Sequence, residues 1–173
     1  MFCKLKFLTL LTLFLGATAL SAQTPTPKYG HMNLGNLLES LPETKKANDD
    51  LKVFADKLTA VDDSLAKSFQ AAYAQLEKEY NAGELTPVQA QKRQEELQKQ
   101  QAYIQKFEED AQQQVAQKRD ELLQPILDKV DAAVKAVAKE NGYLMIFDTS
   151  SGAMLFAADT EDVTELVKKK MAQ

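Results

Sequence analysis

The sequence predicts a mainly α-helical protein with a small β base, in which one long antiparallel helical hairpin projects from a strand-containing body. Three observations carry this reading. Between Thr44 and Tyr80 there is neither glycine nor proline, and apolar residues recur every three or four positions. A second helical stretch follows the turn residues Asn81-Ala82-Gly83 and the restart Thr86-Pro87. Runs suited to strands lie near the two ends of the chain, outside the hairpin.

The first 22 residues carry the three parts of an export signal. Lys4 and Lys6 give the positive start, and Leu8 to Leu15 is an apolar run broken only by Thr9 and Thr12. Ala17, Ala19, Ser21 and Ala22 are the small residues that a signal peptidase reads. The run is shorter than the about 20 apolar residues needed to span a bilayer. Cleavage is expected after Ala22, with Ala19 and Ser21 as acceptable alternatives, and the product is expected to be soluble.

Cleavage there leaves 151 of the 173 residues, enough for one domain. The only cysteine, Cys3, departs with the signal, so the exported chain has no disulfide and must be stabilised by packing or oligomerisation. Loss of Lys4 and Lys6 leaves 19 basic against 25 acidic side chains. That balance argues against nucleic acid as a partner, since neutralising phosphates requires clustered Lys and Arg. With no disulfide and no Asn-x-Ser/Thr triplet, a bacterial envelope compartment fits best.

Gln23 to Lys28 reads as a short lead, Tyr29 to Leu34 as a strand, and Asn36 to Leu41 as one helical turn ended by Pro42. The first long helix is predicted over Thr44–Tyr80, with Thr44 as its N-cap. Leu51, Phe54, Leu58, Val61, Leu65, Phe69, Ala72, Leu76 and Tyr80 form one stripe along it. Gly83 suits the left-handed residue past a helix end. Thr86 and Pro87 then supply the cap and first residue of the next helix.

The second helix is predicted to run from Pro87 to about Glu140. Its outer part is polar: 11 of the 30 residues from Gln89 to Lys118 are glutamine. Leu97, Ile104, Phe107, Ala111, Val115 and Leu122 make only a thin stripe. Pro125 should kink the helix. Beyond it the apolar density rises through Ile126, Leu127, Val130, Val134 and Val137, and Asn141-Gly142 is the stop signal. Leu144–Phe147 and Ala153–Ala157 then read as two strands of a hairpin across Asp148–Gly152. A short last helix, capped by Asp159 or Thr160, directs Val163, Leu166 and Val167 inward and sets Lys168–Lys170 at its negative end.

Helices of 37 and 54 residues would be roughly 55 and 80 Å long. A compact chain of this size has a radius of gyration of about 15 Å, so the shape must be an arm on a base. The base is too small to cover its own strand edges, and oligomerisation would cover them.

Sites for chemistry are lacking in the sequence. His31, the single histidine, stands in a strand without cysteine or an acidic cluster beside it. Asp62-Asp63 and Glu108-Glu109-Asp110 are adjacent on helices, where neighbouring side chains diverge and such runs are solvated. Ser150-Ser151-Gly152 is a turn. No P-loop, dinucleotide fingerprint or nucleophile elbow occurs, so neither an enzyme nor a cofactor is expected.

Tyr29-Gly-His-Met-Asn33, Leu123-Gln-Pro-Ile126, Val137-Ala-Lys-Glu-Asn-Gly-Tyr143 and the closing Asp162-x-Thr164-x-x-Val167, in this order around a helical hairpin, resemble the Skp/OmpH-like periplasmic chaperones. The resemblance covers essentially the whole exported chain and is most specific at its two ends. It implies a homotrimer whose strands join into a central β-barrel, with three arms around a cavity. Unfolded outer-membrane proteins would be held there without ATP, and no stable membrane insertion is implied. It divides the chain into a signal peptide at 1–22, an association domain formed by 23–43 plus 122–173, and an arm at 44–121. Met32, Leu34, Leu144, Ile146, Leu155 and Phe156 would lie in the trimeric base. Phe54, Leu58, Leu65, Phe69, Tyr103 and Phe107 would lie on the arms, where each either joins its two helices or touches the client.

One departure stands out. Well-known members of that family are strongly basic, whereas Thr44 to Gln124 here carries 12 basic and 15 acidic side chains. Attraction to lipopolysaccharide or anionic membrane is therefore not carried over, and client capture would rest on apolar contact and confinement. The competing reading is a coiled-coil spacer or adaptor with a fixed partner in an envelope complex. A spacer would keep a dense a/d seam, which the glutamine-rich outer arm lacks.

Overall fold

The computed structural model describes residues 26–173; the signal peptide expected at 1–22 lies outside the described residues. In chain order the elements are β1 (Lys28–Met32), α1 (Leu34–Ser40), α2 (Pro42–Asn81), α3 (Pro87–Asn141), β2 (Tyr143–Asp148), a 3₁₀ turn (Asp159–Glu161) and α4 (Thr164–Met171). The chain is mainly helical with a small two-stranded sheet.

Local chemistry sets the helix ends. α2 begins at Pro42, two residues before the expected Thr44, because the fixed backbone of proline suits a first helical position. Thr44 is thereby drawn inside, where it is buried and its hydroxyl has no hydrogen-bond partner. The tip behaves as its sequence predicts. Gly83 takes a left-handed φ of 70°, and Thr86 forms a capping box with Gln89. The Gln89 amide donates to the Thr86 hydroxyl oxygen at 3.3 Å, and the Thr86 amide donates to Gln89 Oε1 at 2.9 Å. α3 then runs 55 residues, through Pro125, to the left-handed Gly142.

The packed line along α2 departs from the predicted one at two places, Val61 and Tyr80, the latter 64% exposed beside a half-buried Glu79. Val61 is 47% exposed, and the neighbouring Asp62 turns into the helix pair instead, half-buried.

β1 and β2 pair in parallel, with Gly30 opposite Ile146 and Met32 opposite Asp148. Parallel neighbours need a long crossover, and here the whole α2–α3 hairpin supplies it. The expected antiparallel pairing of Leu144–Phe147 with Ala153–Ala157 does not form; residues 153–157 carry no strand. The other side of β1 is taken instead by Asp162, through a parallel bridge to His31 and a 2.9 Å bond from the Val163 amide to the His31 carbonyl. The segment before it is held at both ends. The Thr149 amide donates to the Met32 carbonyl at 2.9 Å, and His31 Nε2 lies 2.9 Å from the Ala158 carbonyl oxygen.

The core lies where β1, the foot of α3 and α4 meet α1 and the start of α2. It is built from Met32, Leu37, Leu41, Ala47, Ile126, Val130, Ala133, Val137, Val163 and Val167. Gly30 makes this closeness possible, since a Cβ there would come within 2.9 Å of Val163 Cγ1 and 3.1 Å of the Tyr143 ring. The α4 N-cap is neither Asp159 nor Thr160 but Val163, and just before it the Asp162 carboxylate accepts the Thr164 amide at 2.7 Å. Val163 and Val167 are sealed, while Leu166, expected inside, is 38% exposed.

Candidate functional site

Two surfaces carry apolar side chains that the chain itself leaves uncovered. The first is on the base. Leu144, Met145 and Phe147 are exposed along β2, whose outer edge pairs with nothing among the described residues. Leu155 and Phe156 stand out further, 98% and 85% exposed, on the segment between β2 and the 3₁₀ turn. An open strand edge beside exposed large apolar residues is a surface built to be covered. A groove of about 310 Å³ between β2 and α3 adjoins it, lined by Leu34, Leu127, Val130, Val134 and Phe147.

Of the six residues assigned to the base, Leu144, Leu155 and Phe156 belong to this surface. Met32 is buried in the core of the chain itself, and Leu34 and Ile146 pack against that core. Met145 and Phe147 were missed in the sequence, although their place in an apolar strand with no obvious cover for either face was the available signal.

The second surface is the arm. α2 packs along α3, and Phe54, Leu58, Leu65, Phe69 and Phe107 are half-buried in that contact. Tyr103 is 58% exposed, and the structure adds Tyr73 and Tyr80, at 57% and 64%. Their seven-residue spacing, two helical turns, places both tyrosines on one face of α2. They border an open groove of about 530 Å³ in the outer arm, lined also by Phe69, Leu76, Leu97 and several glutamines. Tyrosine gives apolar area with a polar end, and glutamine can both donate and accept. Such a lining can adapt to an extended chain without demanding one sequence.

The electrostatics of the two surfaces differ. At the base, the Asp148 carboxylate is held below its ordinary range first by the Ser150 hydroxyl, with the Ser150 and Leu34 amides assisting. Burial works against ionisation of Asp162, but the Thr164 hydroxyl and amide, aided by His31 and Lys168, outweigh it and lower its pKa. Both carboxylates thus serve as structural acceptors. On the arm the charged groups form scattered ion pairs, such as Arg93–Glu79 at 2.9 Å and Lys106–Asp110 at 3.5 Å. Among the described residues no three His, Cys, Asp or Glu side chains are grouped to hold a metal, and no helix is long and apolar enough to cross a membrane.

Comparison with known proteins agrees with this architecture. The family model described as outer membrane protein (OmpH-like) matches residues 28–171. No curated protein matches the sequence. Among solved structures, the chain is similar to a Caulobacter crescentus protein provisionally assigned as an outer membrane chaperone (OmpH-like). The two are 14% identical over 85% of each chain, with a TM-score of 0.72; at that identity the likeness is one of fold.

Proposed function

This chain belongs to the OmpH-like outer membrane protein family, and on that premise we propose that it is an ATP-independent holding chaperone of the periplasm. Three copies join through their bases into a β-barrel. Their arms enclose a cavity in which unfolded outer-membrane proteins are kept from aggregating on the way to the outer membrane.

The observation that carries this reading is the arm itself. α2 and α3, of 40 and 55 residues, extend roughly 60 and 80 Å while leaving Tyr73, Tyr80 and Tyr103 largely exposed. A rigid spacer would bury its large apolar residues in a continuous seam. A holder needs many weak contacts and no single dominant one, so that the client can leave. The open β2 edge and the exposed Leu155-Phe156 pair support assembly through the base, each being a surface that a second copy would cover.

The periplasmic location rests on the export signal read in residues 1–22. Absence of ATP dependence rests on the lack of any phosphate-binding motif in the sequence. The net acidity makes apolar contact, and not attraction to anionic lipid, the main source of affinity.

The test is to dilute a urea-unfolded outer-membrane β-barrel protein into buffer with and without the exported chain and follow turbidity. Suppression at a few-fold excess of trimer is expected without nucleotide. Unchanged aggregation at that excess would overturn the holding role, and specific binding to a single folded envelope protein would favour the spacer.

A further inference from the structure

The arm carries a second groove, of about 390 Å³, nearer its root than the outer groove of about 530 Å³. The two are built alike. Ala55, Leu58 and Asp62 of the inner groove lie 18 residues before Tyr73, Leu76 and Tyr80 of the outer one, respectively. On α3, which runs the other way, Gln112 and Val115 lie 18 residues after Gln94 and Leu97. That interval is about five whole helical turns, so both grooves open on the same side of the hairpin, about 27 Å apart. Their charged lining residues are all acidic: Glu77 in the outer groove, Asp62 and Glu108 in the inner one. Among the described residues none of these three is in an ion pair, and Asp62 Oδ1 has no hydrogen-bond partner.

We propose that the two grooves act together as one site for an extended client segment that carries, at each end, a lysine or arginine beside an apolar anchor. This site rests on the holding role and specifies the segment held. An extended chain rises about 3.4 Å per residue, so about eight residues bridge the grooves. Residues an even number apart in such a chain project to the same face, so both anchors can enter the arm at once. A transmembrane β-strand of about 9–11 residues is long enough to do so. At each groove an aromatic side chain, Tyr73 or Tyr80 outside and Phe107 inside, receives the apolar anchor, and a carboxylate stands by for the cation. An incoming ammonium or guanidinium would also offset the uncompensated charge of Asp62. Acidic segments are repelled at both places. Each contact alone is weak, and joining the two makes the second intramolecular, which raises affinity while letting the ends leave one at a time.

The test is fluorescence anisotropy of labelled peptides of about 12 residues, titrated with the assembled exported chain. A peptide with two Trp-Lys pairs about eight residues apart should bind about tenfold more tightly than its Trp-Glu counterpart, roughly threefold per anchor. It should also bind about tenfold more tightly than a peptide with the pairs about four residues apart, which cannot reach both grooves. Glu77→Gln/Glu108→Gln alters two exposed side chains. It should keep the helix content and cut the preference for lysine to about threefold, the part left to Asp62. Equal binding of the lysine and glutamate peptides, indifference to spacing, or a preference unmoved by the double variant would overturn the paired site. The same preparation is tested for suppressing aggregation of a urea-unfolded outer-membrane β-barrel protein. Suppression without the peptide preferences overturns the paired site and leaves the holding role standing, whereas loss of suppression overturns both.

Discussion

The carboxylate of Asp148, at the end of β2, accepts the backbone amide of Leu34, at the start of α1, across 3.1 Å. These residues are 114 positions apart in the chain, with the whole arm between them. Asp148 also accepts the Ser150 amide at 2.9 Å and hydroxyl at 2.7 Å. One ionised side chain thus fastens the exit of the arm to its entrance.

This sets a pH dependence. Asp148 and Asp162 are both held below their ordinary value of 3.8, so the folded state binds their protons less readily than the unfolded state does. Their contribution is fully present above that ordinary value and is lost as pH falls through the lowered ones. Urea midpoints measured across the acid range should fall below the ordinary carboxylate pKa. In Asp148→Asn the protein should be less stable at neutral pH, and part of that acid-induced loss should disappear.

Leu37 is fully buried where α1 meets the base. Leu37→Ala removes its packing and leaves a cavity, at a cost of about 2–5 kcal/mol. Leu65→Ala on the half-buried arm should cost clearly less. Equilibrium urea unfolding of the two variants checks both the magnitude and the order.

Gly30 tests the closeness of β1, β2 and the α4 entry. Gly30→Ala drives a methyl group into Val163 and the Tyr143 ring, and overpacking of this kind costs about 1–3 kcal/mol. The lowered midpoint should be partly restored by Val163→Ala in the same chain, because the two sites are in contact.

Leu155 and Phe156 make little contact within their own chain, so replacing both with serine should barely change helix content. Assembly should suffer if these side chains are covered by neighbouring copies. Light scattering is expected to show a smaller mass for Leu155→Ser/Phe156→Ser than for the unaltered chain. An unchanged mass would assign assembly to the β2 edge alone.

Much of this architecture is legible in the residues. The arm follows from three- and four-residue spacing, its tip from Gly83 and the Thr86–Gln89 capping box, and its end from Asn141-Gly142. The base is harder, because parallel pairing of β1 with β2 depends on contacts across more than a hundred residues and leaves no local pattern. Ala153–Ala157 has the composition of a strand but no strand partner among the described residues. Composition marks a wish for pairing without saying where the partner is. The exchange of Val61 for Asp62 on the packed line is invisible for a similar reason. Both fit the interval between Leu58 and Leu65, and the choice is made by the facing helix.

Because the chain contains no tryptophan, the tryptophan emission of an unfolded outer-membrane β-barrel protein reports on the client alone. Titrating the exported chain into such a client measures the central claim directly. The account predicts a blue shift, as client tryptophans leave water for the arms, that saturates at three chains per client without nucleotide. Emission that stays at its unfolded position with excess chain present would contradict it.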